Sequence, residues 1–400
     1  MNHEQSLTYM HGLLRMMLEK KASDLFISAD FPPSMKIDGK MTPIAPQKLT
    51  SAHTKAFAHA LMNDKQRNSF EQEKECNFAI APEGIGRFRV NVFVQQEYVG
   101  MVLRTITTKI PNFDEMGLPP QLKEVMMTKR GLIILVGGTG SGKSTTLAAL
   151  IDFRNETTHG HIITIEDPVE YVHPSKNCLI THREVGRDTL DWFPALKNTL
   201  RQAPDVILIG EIRDRETMEF ALNFAETGHL CMATLHANSS NQALDRILNF
   251  FPEERHQQLH MDLSLNLRAF ISQRLVPKKG GGRCAAIEIL LNSPLVADLI
   301  LKGETNMVKE AMAKSTELGM QTFDQALFNL CEEGRITEED ALRNADSINE
   351  LRLRFKLHSK DAKVRDASDR ISHLSLEEEP EEEPPPDAQG SVAPPAKQPT

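Results

Sequence analysis

Apolar residues recur with two different periods along the chain, and this pattern predicts separate helical and strand-forming regions. Residues 5–22 carry apolar side chains at helical spacing, and residues 50–73 are also predicted to be helical. Between residues 25 and 106, short runs alternate apolar and polar positions with the period of a β-strand. This mixture predicts a small α+β domain over residues 1–107, followed by a linker at residues 108–120.

From residue 121 onward, apolar runs of strand length alternate with helical patterns. The predicted strands are 132–136, 161–166, 205–209 and 230–235, and the predicted helices are 143–154, 189–202, 214–227 and 240–250. This alternation predicts a mostly parallel sheet covered by helices, so the fold class is α/β with a core over residues 121–293. Three glycines at 280–282 predict a late hairpin, and residues 294–357 are predicted to form a helical C-terminal region.

The last part of the chain has a different composition. Residues 358–400 are rich in Glu and Pro and cannot bury a hydrophobic core, so we predict a disordered acidic tail, either solvated or docked on a basic partner. Residues 371–400 hold seven carboxylates against one lysine, which contributes −6 to the net charge of −9 and leaves −3 for the rest. This balanced charge argues against nucleic-acid binding.

The cysteines and the apolar stretches indicate the compartment. The five cysteines are scattered outside C-x-x-C spacing, which is typical of reduced thiols in a cytosolic protein. The first residues lack the pattern of a signal peptide, and no apolar stretch reaches the length of a membrane span. We therefore expect a cytoplasmic protein without direct membrane insertion, whose membrane association runs through protein partners.

A phosphate-binding pattern follows the predicted strand 132–136. Gly137–Ser144 match G-x-x-x-x-G-K-[ST] between a strand and a helix. Glycines let successive backbone N–H groups face a phosphate chain, and the following helix adds its positive dipole end. We predict that Lys143 reaches the phosphates of ATP and that Ser144 binds Mg²⁺. The predicted nucleotide-binding residues are Gly138, Thr139, Gly140, Ser141, Gly142, Lys143, Ser144 and Thr145.

Carboxylates follow two of the other predicted strands. Glu211 comes just after strand 205–209, and an acid at a strand end beside a phosphate loop holds Mg²⁺ through water. Ser144 and Glu211 are therefore the predicted metal-binding residues. Glu166 and Glu170 lie at and after the end of another strand, and either is a candidate for the carboxylate that orients or deprotonates the attacking water. Glu170 is the favoured candidate for this role, and Glu166 is kept as the alternative.

Histidines and arginines complete the set of candidate catalytic residues. His229 and His236 flank the predicted strand 230–235. A lone histidine is usually structural, but beside the other motifs a nucleotide-linked role is predicted, with His229 near the γ-phosphate and His236 facing a neighbouring subunit or helix. Arg87, Arg89 and Arg104 lie on predicted strands of the first domain, and closure of the two domains would bring such cations to a phosphate.

The order of these motifs resembles the secretion ATPases of the PilT/VirB11 superfamily, and more closely its type IV pilus retraction ATPases. The four motifs are the phosphate loop at 137–144, an aspartate box at 165–170, a Walker B motif at 210–214 and a histidine box at 227–236. The resemblance covers residues 5–345 and implies that the chain hydrolyses ATP.

The resemblance also implies an architecture and an assembly. Residues 23–28, Asp38-Gly39 and residues 87–91 resemble an N-terminal PAS-like domain, which precedes a RecA-like ATPase core in this family. By resemblance, Glu211 is the Walker B acid, and the three arginines are candidate trans-acting cations. Family members form hexameric homo-oligomers on the cytoplasmic face of an inner-membrane pilus platform protein.

Two departures distinguish this chain from typical retraction ATPases. Residues 293–301 lack the expected Ala-Ile-Arg element, and the acidic tail is extra. Both features resemble the accessory PilU branch, so we expect a motor for pilus retraction and twitching motility that works beside a PilT-like retraction ATPase. The alternatives are an ATP-binding adaptor that docks on the primary motor without needing hydrolysis, and a RecA-like nucleic-acid translocase.

Overall fold

The alternating segments of the first hundred residues form one antiparallel sheet. The computed structural model describes residues 2–37, 39–106 and 109–359. The strands are β1 (Asp24–Ile27), β2 (Ser34–Ile37), β3 (Lys40–Pro43), β4 (Glu75–Ile80), β5 (Arg87–Gln95) and β6 (Tyr98–Ile106). Their order in the sheet is β3-β2-β1-β6-β5-β4. Asp38, part of the predicted hairpin signal, lies outside the described residues.

Three helices accompany this sheet: α1 (His3–Glu19), α2 (Ser51–Leu61) and α3 (Asp64–Glu73). Their apolar faces share one core with the strands, including Leu14, Leu25 and Phe88. The single helical region expected over 50–73 is divided in two. The first helix ends at Leu61 with Met62 in an extended conformation. Asn63 then caps the second helix, because its Oδ1 accepts the backbone N–H of Gln66 at 2.8 Å.

The second half of the chain contains a seven-stranded mixed sheet. Its strands are β7 (Gly131–Val136), β8 (Gly160–Glu166), β9 (Cys178–Glu184), β10 (Val206–Ile209), β11 (Leu230–Leu235), β12 (Leu267–Pro277) and β13 (Arg283–Leu291). The order is β13-β12-β7-β11-β10-β8-β9, and all neighbours are parallel except β12 and β13. All six residues of β7 are buried, as expected for a strand covered on both faces. The predicted α/β class is confirmed.

Helices cover both faces of this sheet and continue beyond it. They are α4 (Gln121–Met126), α5 (Lys143–Thr157), α6 (Trp192–Thr199), α7 (Arg215–Glu226), α8 (Ser240–Asn249), α9 (His256–Asn266), α10 (Pro294–Lys302), α11 (Val308–Lys314), α12 (Phe323–Glu332), α13 (Glu338–Arg343) and α14 (Ile348–His358). Two apolar clusters lie on opposite faces of the sheet. Ile134 belongs to one cluster and its neighbour Ile133 to the other, because successive strand residues point to opposite faces.

Both sheets belong to one compact unit, Met1–Leu351. The domain boundaries expected near residues 107, 121 and 293 therefore stay predictions. The expected acidic tail, from residue 360 onward, lies outside the described residues. No helix in the described ranges combines the length and the apolar character that a membrane span requires.

Candidate nucleotide-binding site

Four parallel strands bring the predicted motifs to one edge of the seven-stranded sheet. β7 leads into the phosphate loop, β8 ends at Glu166, β10 precedes Glu211, and β11 precedes His236. Because the carboxyl ends of parallel strands meet at the same edge, these residues line a single cavity of about 300 Å³. Sequence-distant motifs thus form one site.

The backbone of the phosphate loop needs glycine at two positions. Gly140 and Gly142 have φ angles of +76° and +89°, in the left-handed region. A Cβ on Gly142 would also lie 2.7 Å from the Nε2 of Gln273. Gln273 on β12 holds the loop in place, because its Nε2 donates to the carbonyl of Ser141 at 2.9 Å and its Oε1 accepts from Thr146 at 2.8 Å. Sequence reasoning missed Gln273, since only the pairing of β12 with β7 brings it to the loop.

Lys143 points back into the curve of the loop. Its Nζ donates to the carbonyl oxygens of Gly137 and Gly138 at 2.7 and 3.0 Å, and the residue is 8% exposed. Burial lowers the pKa of Lys143, while the negative charges of Glu211 and Glu170 oppose that shift. The ammonium group therefore lies among carbonyl groups at the centre of the loop, where a bound phosphate would meet it.

Four of the other predicted loop residues and Gly142 line two cavities, whereas Gly138 and Ser141 line neither and contact Lys143 and Gln273 through their carbonyl groups. Thr139, Gly140 and Ser144 line the same cavity as Lys143. Thr145 lines the adjacent cavity, together with Gly142 and Gln273, and its Oγ1 lies 3.1 Å from the hydroxyl of Tyr171. Tyr171 and Trp192 also line the main cavity and were not predicted, although Tyr171 directly follows the aspartate box.

Glu211 lies within a small network of charged groups. Its Oε2 accepts from the Nε of Arg213 at 2.8 Å, and its Oε1 lies 3.2 Å from the Nε2 of His236. Burial lowers the pKa of His236, and the charge of Lys143 adds to this, which favours a neutral imidazole at pH 7. The oxygens of Ser144 and Glu211 line the same cavity and are donors that suit Mg²⁺, so the residues present fit that ion.

The two candidate water-orienting carboxylates have different surroundings. Burial raises the pKa of Glu166 to about 7, while a hydrogen bond from Thr164 and one from the backbone of Glu170 act in the opposite direction. The Oε2 of Glu166 accepts that backbone N–H at 3.4 Å. The Glu170 residue itself is exposed and lines the cavity. Both residues therefore line the cavity, but Glu166 also accepts a loop N–H, whereas Glu170 is the more exposed of the two.

The two histidines lie at opposite ends of β11. His236 lines the cavity, while His229 precedes β11 at the other edge of the sheet, about 20 Å away for six strand residues. There its Nδ1 lies 3.1 Å from the Oγ1 of Thr227. The direction of β11 thus brings His236 to the phosphate loop, and a contact of His229 with the γ-phosphate in the same subunit is not supported. The predicted contact of His236 with a neighbouring subunit or helix stays a prediction.

The three arginines of the first sheet have three different environments. Arg89 lines the cavity. Arg104, its register partner on β6, donates from Nε to Asp24 at 2.8 Å. Arg87 forms a buried ion pair with Glu184 at the end of β9. In the described chain, Arg87 and Arg104 are not among the cavity-lining residues, so a direct phosphate contact within this subunit is not supported for either.

A phosphate loop between a buried strand and a helix, with acids at the neighbouring strand ends, defines a P-loop ATPase. The family model described as "Type II/IV secretion system protein" matches residues 3–343. The chain belongs to this family.

Individual relatives narrow the similarity. "Type IV pilus ATPase PilU" of Pseudomonas aeruginosa is 59% identical over 348 residues, which are 87% of this chain and 91% of the relative. "Type IV pilus retractation ATPase PilT" of the same organism is 44% identical over 333 residues, 83% of this chain and 97% of that protein. The resemblance to the PilT/VirB11 superfamily and to its PilU branch is confirmed, and so is the expectation of an ATPase.

A solved structure supports the same conclusion. "Crystal Structure of the Pilus Retraction Motor PilT and Bound ADP" superimposes with a TM-score of 0.79 at 40% identity, and covers 85% of this chain and 98% of that one. The fold and the nucleotide chemistry expected from the sequence therefore match a protein that was solved with ADP.

Proposed function

We propose that this chain is a Mg²⁺-dependent ATPase that powers type IV pilus retraction as a hexameric ring, acting as an accessory motor beside a PilT-like retraction ATPase. The observation that carries the proposal is one cavity lined by Lys143, Ser144, Glu211, Glu170 and Arg89. These groups are the phosphate-binding, metal-binding, water-orienting and charge-stabilising parts that phosphoryl transfer requires. The pilus context comes from the names of the relatives.

The chemistry is an in-line attack of water on the γ-phosphate. Lys143 and the loop N–H groups hold the phosphates, and Ser144 and Glu211 hold Mg²⁺, which when bound neutralises phosphate charge. Glu166 and Glu170 both line the cavity. We assign the orientation of the attacking water to Glu170, because Glu170 is exposed and the Glu166 carboxylate already accepts a backbone N–H.

Arg89 connects the chemistry to movement. It belongs to the first sheet, which we assign as a PAS-like domain, whereas the phosphate loop belongs to a RecA-like core. Since its guanidinium lines the cavity, Arg89 stabilises the charge that develops on the γ-phosphate. Closure of the two domains around ATP, and reopening after hydrolysis, is the mechanical step.

The cellular setting follows the family. We place the ring on the cytoplasmic face of the inner membrane, where it contacts the pilus platform protein without entering the membrane. The acidic tail beyond the described residues is a further candidate contact for a basic partner surface.

Phosphate release from purified protein tests the proposal. Wild type is expected to hydrolyse ATP with Mg²⁺ and to stop when EDTA removes the ion. Lys143→Ala is expected to lose at least about 10²-fold in kcat/KM, because the charge at the phosphates is removed. Lys314→Ala is the matched control, since Lys314 is exposed and pairs with Glu310 on the surface. Hydrolysis that survives Lys143→Ala would exclude this site as the catalytic centre.

Assembly and partnership need separate measurements. Light scattering with Mg²⁺-ATP is expected to give the mass of six chains, and a monomer would contradict the ring. Adding a PilT-like ATPase tests the accessory role through the rate of hydrolysis.

Two further comparisons test the alternatives. If cells with Lys143→Ala retract pili normally whenever the primary motor is active, while a deletion strain does not, the chain is an adaptor. Strong stimulation of hydrolysis by DNA or RNA would instead favour a translocase.

A further inference from the structure

Two carboxylates, those of the half-buried Glu166 and the buried Glu184, hold the loop that carries Glu170. Glu166 ends β8 and Glu184 ends β9, and the two residues are register partners in this parallel pair. Glu166 accepts the backbone N–H of Glu170 at 3.4 Å, and Glu184 accepts the backbone N–H of Val169 at 3.2 Å. Consecutive amides of the loop are thus bound by the ends of neighbouring strands.

Glu184 is in turn held by the first sheet. Its carboxylate pairs with Arg87 of β5, and the two side chains are 6% and 9% exposed. The ion pair restricts Glu184 to one position, since a buried carboxylate without its partner would be strongly destabilised. The strongly held carboxylate is the acceptor for Val169, which is itself 2% exposed.

A chain of hydrogen bonds involving Thr164 and His182 lies beside Glu166. Thr164 lies two residues before Glu166 on β8, and its Oγ1 lies 2.9 Å from the Nδ1 of His182. The Nε2 of His182 accepts the backbone N–H of His173 at 3.0 Å, so the neutral ring carries its proton on Nδ1 and donates it to Thr164. The Thr164 hydroxyl therefore accepts from His182 and keeps its own proton for donation.

We propose that Glu184, held by Arg87, is a positioning residue that fixes Glu170 through the Val169 amide and makes its placement depend on the first sheet. This inference rests on the proposed role of Glu170 as the water-orienting carboxylate. Glu184 touches no reacting atom in this scheme. Its effect on hydrolysis therefore passes entirely through the loop, and so through Glu170.

A pair of substitutions separates the amide contact from simple packing. Glu184→Gln keeps an oxygen that accepts the Val169 N–H, whereas Glu184→Leu removes it at similar volume. Glu184→Leu is expected to lower kcat for ATP by about 10- to 100-fold with KM changed less than about twofold, and Glu184→Gln by less. In a Glu170→Gln background, measured in single turnovers, Glu184→Leu is expected to cause no further loss.

Additive losses in that background would overturn the proposal, because they would mean that Glu184 acts independently of Glu170. Arg87→Met is expected to behave like Glu184→Leu, and the charge-swapped double variant Arg87→Glu with Glu184→Arg keeps the pair as a check on folding. Equal kcat values for wild type, Glu184→Leu and Arg87→Met would also overturn it.

Hydrogen exchange gives a readout that does not need hydrolysis. In nucleotide-free protein, the amides of Val169 and Glu170 are expected to exchange at least about tenfold faster in Glu184→Leu than in wild type, with Glu184→Gln between them. Unchanged exchange would refute the role of Glu184 in holding the loop. If the wild type shows this exchange pattern but does not hydrolyse ATP, the result counts against the proposed function alone, since the contact of Glu184 with the loop would still be observed.

Discussion

Arg89 and Arg104 lie side by side on neighbouring strands, and we expect their substitution to affect different properties: catalysis for Arg89 and stability for Arg104. They are register partners on β5 and β6, but Arg89 lines the nucleotide cavity whereas Arg104 pairs with Asp24. An arginine that stabilises the negative charge of the phosphoryl-transfer transition state raises kcat by about 10³-fold or more. Arg89→Ala is therefore expected to lower kcat by about 10³-fold and to leave stability unchanged.

The magnitude for Arg104 follows from its exposure. Its side chain is 68% exposed while that of Asp24 is 7% exposed, so solvent screening limits the pair to about 1 kcal/mol. At about 2.1 cal/mol/K per residue, unfolding of the unit Met1–Leu351 has an entropy of about 0.7 kcal/mol/K. Arg104→Ala is thus expected to lower Tm by about 1–2 °C with kcat within about twofold of wild type.

The pH dependence of that Tm difference is a further check. Burial alone would raise the pKa of Asp24, but hydrogen bonds from Ser23 and Arg104 hold it below the ordinary value of 3.8. A carboxyl whose pKa is lower in the folded state than in the unfolded state stabilises the fold at pH values above the unfolded-state pKa. This stabilisation is lost as the pH falls through the folded-state pKa. The Tm difference between wild type and Arg104→Ala is therefore expected to narrow below pH 3.8.

Calorimetry and steady-state phosphate release on both variants complete the test. If Arg104→Ala lost as much kcat as Arg89→Ala, the assignment of Arg89 alone to the cavity would be refuted. The same conclusion would follow if Arg89→Ala kept wild-type turnover.

Three other outcomes are expected. In phosphate-release assays, His236→Ala is expected to lower kcat about tenfold or more, because His236 lines the cavity. His229→Ala is expected to leave kcat near the wild-type value, because His229 is not among the lining residues. Equal losses would contradict the placement of only His236 at the cavity. Since burial raises the pKa of Glu166 to about 7, its carboxylate gains a proton as the pH falls through that value and then binds the Glu170 N–H less strongly. The kcat is therefore expected to drop between pH 8 and pH 6. If Glu166→Gln shows the same drop, the titration of another group causes it. Gly142→Ala is expected to weaken ATP binding at least about tenfold in calorimetric titrations, because φ is +89° there and the added Cβ would collide with Gln273. Wild-type affinity would show that the loop tolerates a side chain at this position.

Several elements were predictable from the sequence because their causes are local. The phosphate loop is a contiguous run whose glycines and lysine act within eight residues. The four predicted strands of the second sheet correspond to β7, β8, β10 and β11, since buried strands read as continuous apolar runs. β9 was missed, because this edge strand reads Thr-His-Arg-Glu in its second half and lacks such a run.

The candidate site was predicted in its residue types but not in all of its assignments. His229 and His236 look equivalent in sequence, but they are separated by the length of β11, and its direction decides which one lies at the phosphate loop. Arg87, Arg89 and Arg104 look equivalent as well. They differ only in the long-range partners that each finds, and no local pattern records these.

The sequence by itself determined that a strand, a glycine-rich turn and a helix form a phosphate-binding loop, because those residues control their own backbone conformations. Only the tertiary structure decided which carboxylates bind the loop that carries Glu170. Glu166 and Glu184 are distinguished from Glu170 by burial and by amide contacts, which arise when neighbouring strands end together at the sheet edge. Such juxtapositions depend on strand order and register, which separate segments acquire only when they pack.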